Sequence, residues 1–336
     1  MMQISLHGSN KRTHINQYIY GLLQLQRQGL VKIKNIDFSD NIRNGVLKLT
    51  VNGQKIIYDG DDGDHIDRNF FHEEDHEWCD FYFKRSCSAR LKNKYAKVFP
   101  LGLAYELAPD YSHSRVLRDG IKRLFGKGVI KHYDLECKPR INTPAKILFI
   151  TGLWDPQECS HPEFAAEANA INACRLMTLD TLAEHYGSQA TIGLGDTALT
   201  RRLGKKYVLD SATTSRKNFI QKIKSHDICI ASTGLHGSIG WRFGEYVAAS
   251  RAIVSETLNY IIPGDFSIGK NYLNYHDRQS LIASVDALIK DDEYRHAIMQ
   301  NNYDYYQDFL RPDRMMLRTL CMALETPERL TAHRQR

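Results

Sequence analysis

The chain has 336 residues, enough for two α/β domains of ordinary size and too many for one small core. A hydrophobic content of 42%, a charged content of 25% and a net charge of +6 describe a globular protein and fall short of a nucleic-acid-binding signature, while permitting an anionic ligand or an acidic membrane surface. The 7 cysteines form no CxxC pair, no apolar core opens the sequence and no run of about 18 apolar residues occurs, which excludes a disulfide scaffold and a spanning helix. These features predict reduced, buried thiols in a cytoplasmic protein whose membrane contact is at most peripheral, at the inner face.

The first half opens with a short strand, Gln3 to Leu6, and a polar loop from His7 to Thr13. Ile15, Tyr18, Ile19, Leu22, Leu23 and Leu25 then recur with helical spacing. Strands are expected at Leu30–Ile36, Gly45–Val51 and Lys55–Tyr58, the last running into the acidic turn Asp59-Gly-Asp-Asp-Gly-Asp64. Phe81 to Phe83 and Lys97 to Phe99 read as two more short strands. His72-Glu-Glu-Asp-His76 satisfies the HExxH pattern, whose logic is two imidazoles on one helical face with a glutamate as base, but its acidic surroundings suit a solvated helix better. Between Ala108 and Thr143 the pattern weakens and turns basic, with Arg118, Lys122, Arg123, Lys127, Lys131 and Lys138, as expected of a connection between domains.

A fresh α/β unit begins at the apolar strand Lys146 to Thr151, followed by the loop Gly152 to Pro156 and a long helix from Pro162 to Tyr186. Further strands are expected at Ala190–Ile192, Tyr207–Leu209, Ile228–Ala231 and Ala252–Ser255, with helices at Ser215–Ser225 and Trp241–Ala249 between them. Such alternation predicts a parallel sheet covered on both faces, with ligands at the loops beyond the carboxyl ends of its strands. Gly193-Leu-Gly-Asp196 is too little for a dinucleotide fingerprint, which sets aside a nicotinamide-dependent oxidoreductase of the same layout.

On that scaffold Ser232 to Gly240 is a glycine-broken loop feeding the helix that starts at Trp241. Its backbone amides and the helix N-terminus suit an anion. Arg242 offers a fork of donors to phosphate oxygens, and Glu245, one turn on, can accept from two vicinal ribose hydroxyls. The competing reading is an exposed intrahelical Arg–Glu pair contributing about 0.2–0.5 kcal/mol.

The stretch from Ser232 through Glu245-Tyr-Val-Ala-Ala-Ser-Arg-Ala-Ile-Val254 resembles the donor half of two-domain GT-B glycosyltransferases, with an Arg-x-x-Glu spacing similar to the spore-maturation-type and exostosin-like group. Ser250 and Ala252 stand where the family usually has glycine and proline, and Gly237 stands where retaining members often carry a further glutamate. The order of elements from Gly269 to Pro312 is similar too. The resemblance implies two Rossmann-like α/β domains with parallel sheets facing a central cleft: residues 1–140 on the acceptor side, including the basic linker; 141–312 as the nucleotide-sugar donor domain; and 313–336 as a helix returning toward the first domain, with a tail. It implies metal-independent transfer of a sugar from a nucleotide-sugar donor, without a cofactor, to a hydroxyl on a glycan or lipid-linked acceptor in bacterial surface polysaccharide or glycoconjugate synthesis. The altered positions leave open a nucleotide- or glycan-binding module that has lost catalysis.

The donor-side candidates are Glu245, Arg242, Gly234, His236, Gly237, Ser238, Arg216, Lys217, Gly152, Trp154 and Lys270, with Trp154 read either as lining the cleft or as packing between domains. Acceptor-side candidates are His7, Lys84 and Arg85, the two cations being equally readable as surface charges. Asp62, then Asp59, are the candidate catalytic bases, since clustered acidic neighbours raise a carboxyl pKa, although a Gly/Asp-rich turn needs no function.

Overall fold

The computed structural model describes residues 1–110 and 130–324. Arg118, Lys122, Arg123 and Lys127 of the expected linker, and the tail from 325 onward, lie outside the described residues. The chain divides into two compact units: Met1–His132 with Tyr260–Gly264 and the segment from Gln307, and Tyr133–Asn259 with Asp265–Tyr306.

The first unit is a six-stranded sheet in the order β2-β1-β3-β4-β5-β6, formed by β1 (Met2–Ser9), β2 (Val31–Ser39), β3 (Val46–Val51), β4 (Gln54–Asp59), β5 (Phe81–Lys84) and β6 (Val98–Pro100). The sheet is mostly parallel, as expected, with β1–β2, β4–β5 and β5–β6 parallel and β3 alone running antiparallel to its neighbours β1 and β4. Asn52-Gly53 closes the β3–β4 hairpin with φ of 48° and 85°, the left-handed pair that a two-residue turn matched to strand twist requires. β1 is also longer than expected. Its alternation buries Ile4, Leu6 and Gly8 and turns His7 outward, 3.6 Å from Asp37 of the edge strand β2, so His7 sits on a strand instead of in a loop.

Helix α1 (Asn16–Arg27) buries Tyr18, Ile19, Leu22, Leu23 and Leu25, and it packs against the C-terminal helix α11 (Pro312–Leu324). Gly21 marks their crossing: a Cβ there would lie 2.2 Å from the Pro312 carbonyl oxygen and 2.6 Å from Met316 Cγ. The Tyr58 and Thr319 hydroxyls bond at 2.8 Å and fasten α11 to β4. Two short helices, α2 (Glu73–Trp78) and α3 (Ala89–Lys94), and the single turn α4 (His132–Leu135) complete the first half.

The second unit is a five-stranded, wholly parallel sheet in the order β11-β10-β9-β7-β8. Its strands are β7 (Ile147–Thr151), β8 (Ala190–Leu194), β9 (Ile228–Ala231), β10 (Ala252–Glu256) and β11 (Tyr272–Tyr275). The helices are α5 (Pro162–Tyr186), α6 (Ala198–Leu203), α7 (Arg216–Ser225), α8 (Trp241–Ala248), α9 (Arg278–Lys290) and α10 (Asp292–Tyr305). β7, β9 and β10 are buried almost throughout, as continuous apolar runs between two helical layers must be. The strand expected at Tyr207–Leu209 is a 3-10 turn with one isolated bridge, Leu194 to Val208, while β11 is an added edge strand. Ser250 has φ 56°, a left-handed conformation that glycine adopts more readily than serine.

The first strand of this unit, β7, has the second, β8, on one side and the third, β9, on the other. Chain connections therefore leave in opposite directions from the carboxyl ends of β7 and β9. Doubly wound sheets open a ligand crevice at that switch point.

Candidate functional site

One helix builds the switch point. The buried stripe of α5 carries Asn172 and Arg175 where an apolar pattern would put hydrocarbons, and these two, with the half-buried Glu167 nearer the helix start, tie down loops. Arg175 donates from Nε to Ser232 Oγ at 2.9 Å, from Nη1 to the Gly152 carbonyl at 2.8 Å and from Nη2 to the Thr233 carbonyl at 3.1 Å, lacing the β7 loop to the β9 loop. Asn172 accepts from the Trp154 amide at 2.9 Å and donates to its carbonyl at 2.7 Å. Glu167 accepts from the Gly237 amide at 3.1 Å. At the end of β10, Glu256 accepts from the Thr233 amide at 2.8 Å and its hydroxyl at 3.1 Å.

The β9 loop is a tight structure. Gly234 donates its amide to the Ser238 carbonyl at 2.8 Å, and a side chain at Gly234 would meet Ser238 Oγ at 2.7 Å. His236 and Gly237 both hold positive φ, 65° and 62°, with the His236 ring edge-on to Phe164 of α5 at 4.4 Å. A non-glycine residue in that region is strained and persists only where its surroundings impose it. Gly240 then starts α8 with no side-chain cap, and the Phe243 amide bonds back to its carbonyl at 3.0 Å.

Arg242 lies flat over Phe219 of α7, 4.8 Å from the ring centroid, and its buried Nη1 has no hydrogen-bond partner. The guanidinium of Arg175 titrates low, at about 10, first because of burial and next because Arg242 repels it. Two guanidinia are thus held within electrostatic reach of each other at the switch point, where an oxyanion would relieve both.

Glu245 does not pair with Arg242, and the exposed intrahelical pair does not form. The Glu245 carboxylate is 2% exposed and takes both arms of Arg216 at the head of α7, Nη1 to Oε2 at 3.0 Å and Nη2 to Oε1. Arg216 and Arg242 both lie near Phe219, so the α7 and α8 N-termini bring them together. Lys217, about 100° further around α7, is exposed and outside this group. Lys270 is corrected outright: it precedes β11, at the amino end of the strands, and pairs with Asp265. Gly152 has open space where a Cβ would stand, and Trp154 is 42% exposed on a backbone that Asn172 fixes.

In the first unit the acidic turn is a buried ionic cage. Asp59 is fully buried: Oδ1 accepts from Lys84 Nζ at 2.9 Å and the Asp61 amide at 3.0 Å, and Oδ2 accepts from Arg43 Nη2 at 2.5 Å and the Tyr82 hydroxyl at 2.5 Å. Burial alone would raise its carboxyl, but Lys84 and Arg43 overcome that and hold it far below the usual range. Asp62 is also lowered, burial being outweighed by Arg85, whose Nη1 reaches Oδ1 at 2.5 Å. Only Asp61 is raised, by burial and by Asp59 beside it. The expectation that acidic crowding raises Asp62 or Asp59 therefore fails, because Lys84 at the end of β5, Arg85 just after it and Arg43 ahead of β3 neutralise the turn. Lys84 at 0% and Arg85 at 4% exposure are buried in the cage and are not surface charges.

His72 lies outside α2 with extended backbone (φ −113°, ψ 123°), so the two histidines of the HExxH stretch do not share a helical face. No cluster of metal-ligating side chains occurs among the described residues. All 7 cysteines are free; Cys79, Cys87 and Cys229 are buried as expected, whereas Cys321 is exposed. No described helix is long and apolar enough to cross a membrane.

The missed residues, Arg175, Asn172, Glu167 and Glu256, carried one legible signal. Two of them, Asn172 and Arg175, fall on the apolar phase of the helix that follows the unit's first strand.

No protein-family model matches the sequence, and no curated protein does. Among solved structures the chain is similar to Anabaena Alr3699/HepE in complex with UDP-glucose, at 9% identity over 96% of this chain and 100% of that one, with a TM-score of 0.45. It is also similar to the C-terminal domain of a glycosyl transferase group 1 family protein, LpcC, from Francisella tularensis, at 12% identity over 53% of this chain and 96% of that one, TM-score 0.36. WaaG, a glycosyltransferase involved in lipopolysaccharide biosynthesis, is similar at 10% identity over 73% of this chain and 63% of that one, TM-score 0.39. The chain is an α/β protein with two mostly parallel sheets, and the solved structures it resembles include glycosyltransferases of the group 1 kind.

Proposed function

We propose that the second unit binds the diphosphate of a nucleotide-sugar donor at its switch point, and that the protein transfers the sugar to a hydroxyl acceptor. The observation that carries this reading is the pair of guanidinia, Arg175 and Arg242, gathered with a buried, unbonded N–H beside an uncapped helix N-terminus. A departing nucleoside diphosphate develops negative charge, and fixed guanidinia and helix amides stabilise it without reorganising at the moment of reaction. In this reading they do so in place of a metal ion. Arg216, held by Glu245, stands at the head of the neighbouring helix as a third cation, and Glu245 serves Arg216 in preference to the ribose. The glycan or lipid-linked acceptor and the setting at a membrane's inner face follow from the sequence resemblance alone.

The locking of Asp59 and Asp62 into ion pairs favours a second reading, a module that binds the donor without turning it over. Thermal shift and calorimetry with UDP, GDP, CDP, ADP and NAD test the binding, and hydrolysis of the matching nucleotide sugars separates enzyme from module. Stabilisation by a nucleoside diphosphate is expected. Arg175→Met and Arg242→Ala should weaken the diphosphate about tenfold or more while sparing the nucleoside. Stabilisation by NAD alone, or by none of them, overturns the proposal.

A further inference from the structure

We infer that Glu167, standing with His236 over the turn between β9 and α8, receives the hydroxyl groups of the transferred sugar; this rests on the reading of the switch point as a donor site. A carboxylate on the turn itself would be strained at its tightest point. Gly237 has φ 62°, and a Cβ there would lie 2.8 Å from Asn259 Nδ2, so a glutamate at position 237 would have to hold a left-handed backbone and displace the Asn259 side chain. Helix α5 supplies a carboxylate at the same place from outside the loop. Glu167 Oε1 accepts the Gly237 amide at 3.1 Å, which puts the carboxylate in contact with the turn.

The other oxygen is the informative one. Oε2 lies 4.0 Å from His236 Nδ1, too far for a hydrogen bond, and the Glu167 side chain is 32% exposed. An ionised carboxylate offers about four lone-pair positions, of which the Gly237 amide uses one. The His236 ring is presented beside it by a left-handed backbone and braced edge-on by Phe164 at 4.4 Å. An acceptor-only carboxylate next to an imidazole that donates and accepts is a set that recognises vicinal hydroxyls. It also repels a second carboxylate, which points to a neutral hexose or N-acetylhexosamine over a uronic acid.

Calorimetry on the whole chain tests this with UDP and GDP, with UDP-glucose, UDP-N-acetylglucosamine and GDP-mannose, and with UDP-glucuronic acid. Glu167→Gln keeps an oxygen for the Gly237 amide and so should melt like the wild type. It should hold the nucleoside diphosphate within about twofold and lose about tenfold to a hundredfold for the neutral nucleotide sugar. Glu167→Asp, which keeps the charge but withdraws it by one methylene, should lose affinity in the same selective way. Equal losses for diphosphate and nucleotide sugar, no loss in either variant, or a wild-type preference for the uronic acid overturns the sugar subsite and leaves the donor site standing. Absence of nucleoside diphosphate binding in the wild type overturns both.

Discussion

Glu245→Ala distinguishes a buried structural pair from a surface one. An exposed intrahelical pair would contribute about 0.2–0.5 kcal/mol. Here the carboxylate is 2% exposed and takes two arms of Arg216, so truncation leaves a guanidinium without its anion. Breaking a fully buried pair costs about 3–5 kcal/mol. The Arg216 side chain is 26% exposed and can turn toward water, which brings the expected loss down to about 2–3 kcal/mol. The assay is urea unfolding in a Trp78→Phe background, where the fluorescence of the remaining two of the 3 tryptophans, Trp154 and Trp241, reports on the second unit. A double-mutant cycle with Arg216→Met then isolates the pair, and its coupling should be at least about 1 kcal/mol. A total loss under about 0.5 kcal/mol, or a coupling near zero, would refute the pairing and return Glu245 to the ribose role.

Gly21→Ala should destabilise the first unit by about 1–3 kcal/mol in thermal melting, because the new methyl meets the Pro312 carbonyl oxygen at 2.2 Å; a gain of about 1 kcal/mol, the helix-propensity effect alone, would refute the close crossing of α1 and α11. Lys84→Met should cost about 3–5 kcal/mol at neutral pH by leaving Asp59 buried with one cation fewer, and a loss under about 1 kcal/mol counts against the cage. Because the folded pKa of Asp59 is depressed, its contribution is complete above the unfolded value of about 3.9 and is lost as pH falls through the folded value, so Lys84→Met should flatten the acid limb of stability against pH. Asp61 has the opposite sign, its folded pKa being raised, so Asp61→Asn should be neutral or stabilising above that value and should show no gain in acid.

The parallel sheet of the second unit was legible because its strands are fully buried and read as apolar runs, with Ile228–Ala231 placed to the residue. β3 was legible as a strand but not in its direction. Asn52-Gly53 between two alternating runs is a hairpin signal, and an antiparallel β3 follows from it once the turn chemistry is given weight. The site was legible by halves. Arg242 and Glu245 were found from their spacing behind a glycine-rich loop, but spacing along one helix does not say which neighbour a side chain will meet, and α7 contributed both Arg216 and Phe219. Asp59 and Lys84 show the same limit in the first unit: they are 25 residues apart in sequence and adjacent across β4 and β5, so the cation that reverses the expected pKa is set by register.

The polar stripe of α5 suggests where such sites hide. A helix that follows the first strand of a doubly wound sheet lies across the switch point, so its buried face meets both loops that must be held apart for a ligand. Hydrocarbons there would seal the crevice. Arginine, asparagine and glutamate at Arg175, Asn172 and Glu167 instead spend their hydrogen bonds on the loop carbonyls and amides of Gly152, Thr233, Trp154 and Gly237. The strained turn at His236 and the mutual repulsion of Arg175 and Arg242 are each unfavourable taken singly. They become intelligible together if an anion bearing a hydroxylated group occupies the space they frame, since the same ligand would offset the repulsion at one end and use the oriented imidazole and carboxylate at the other.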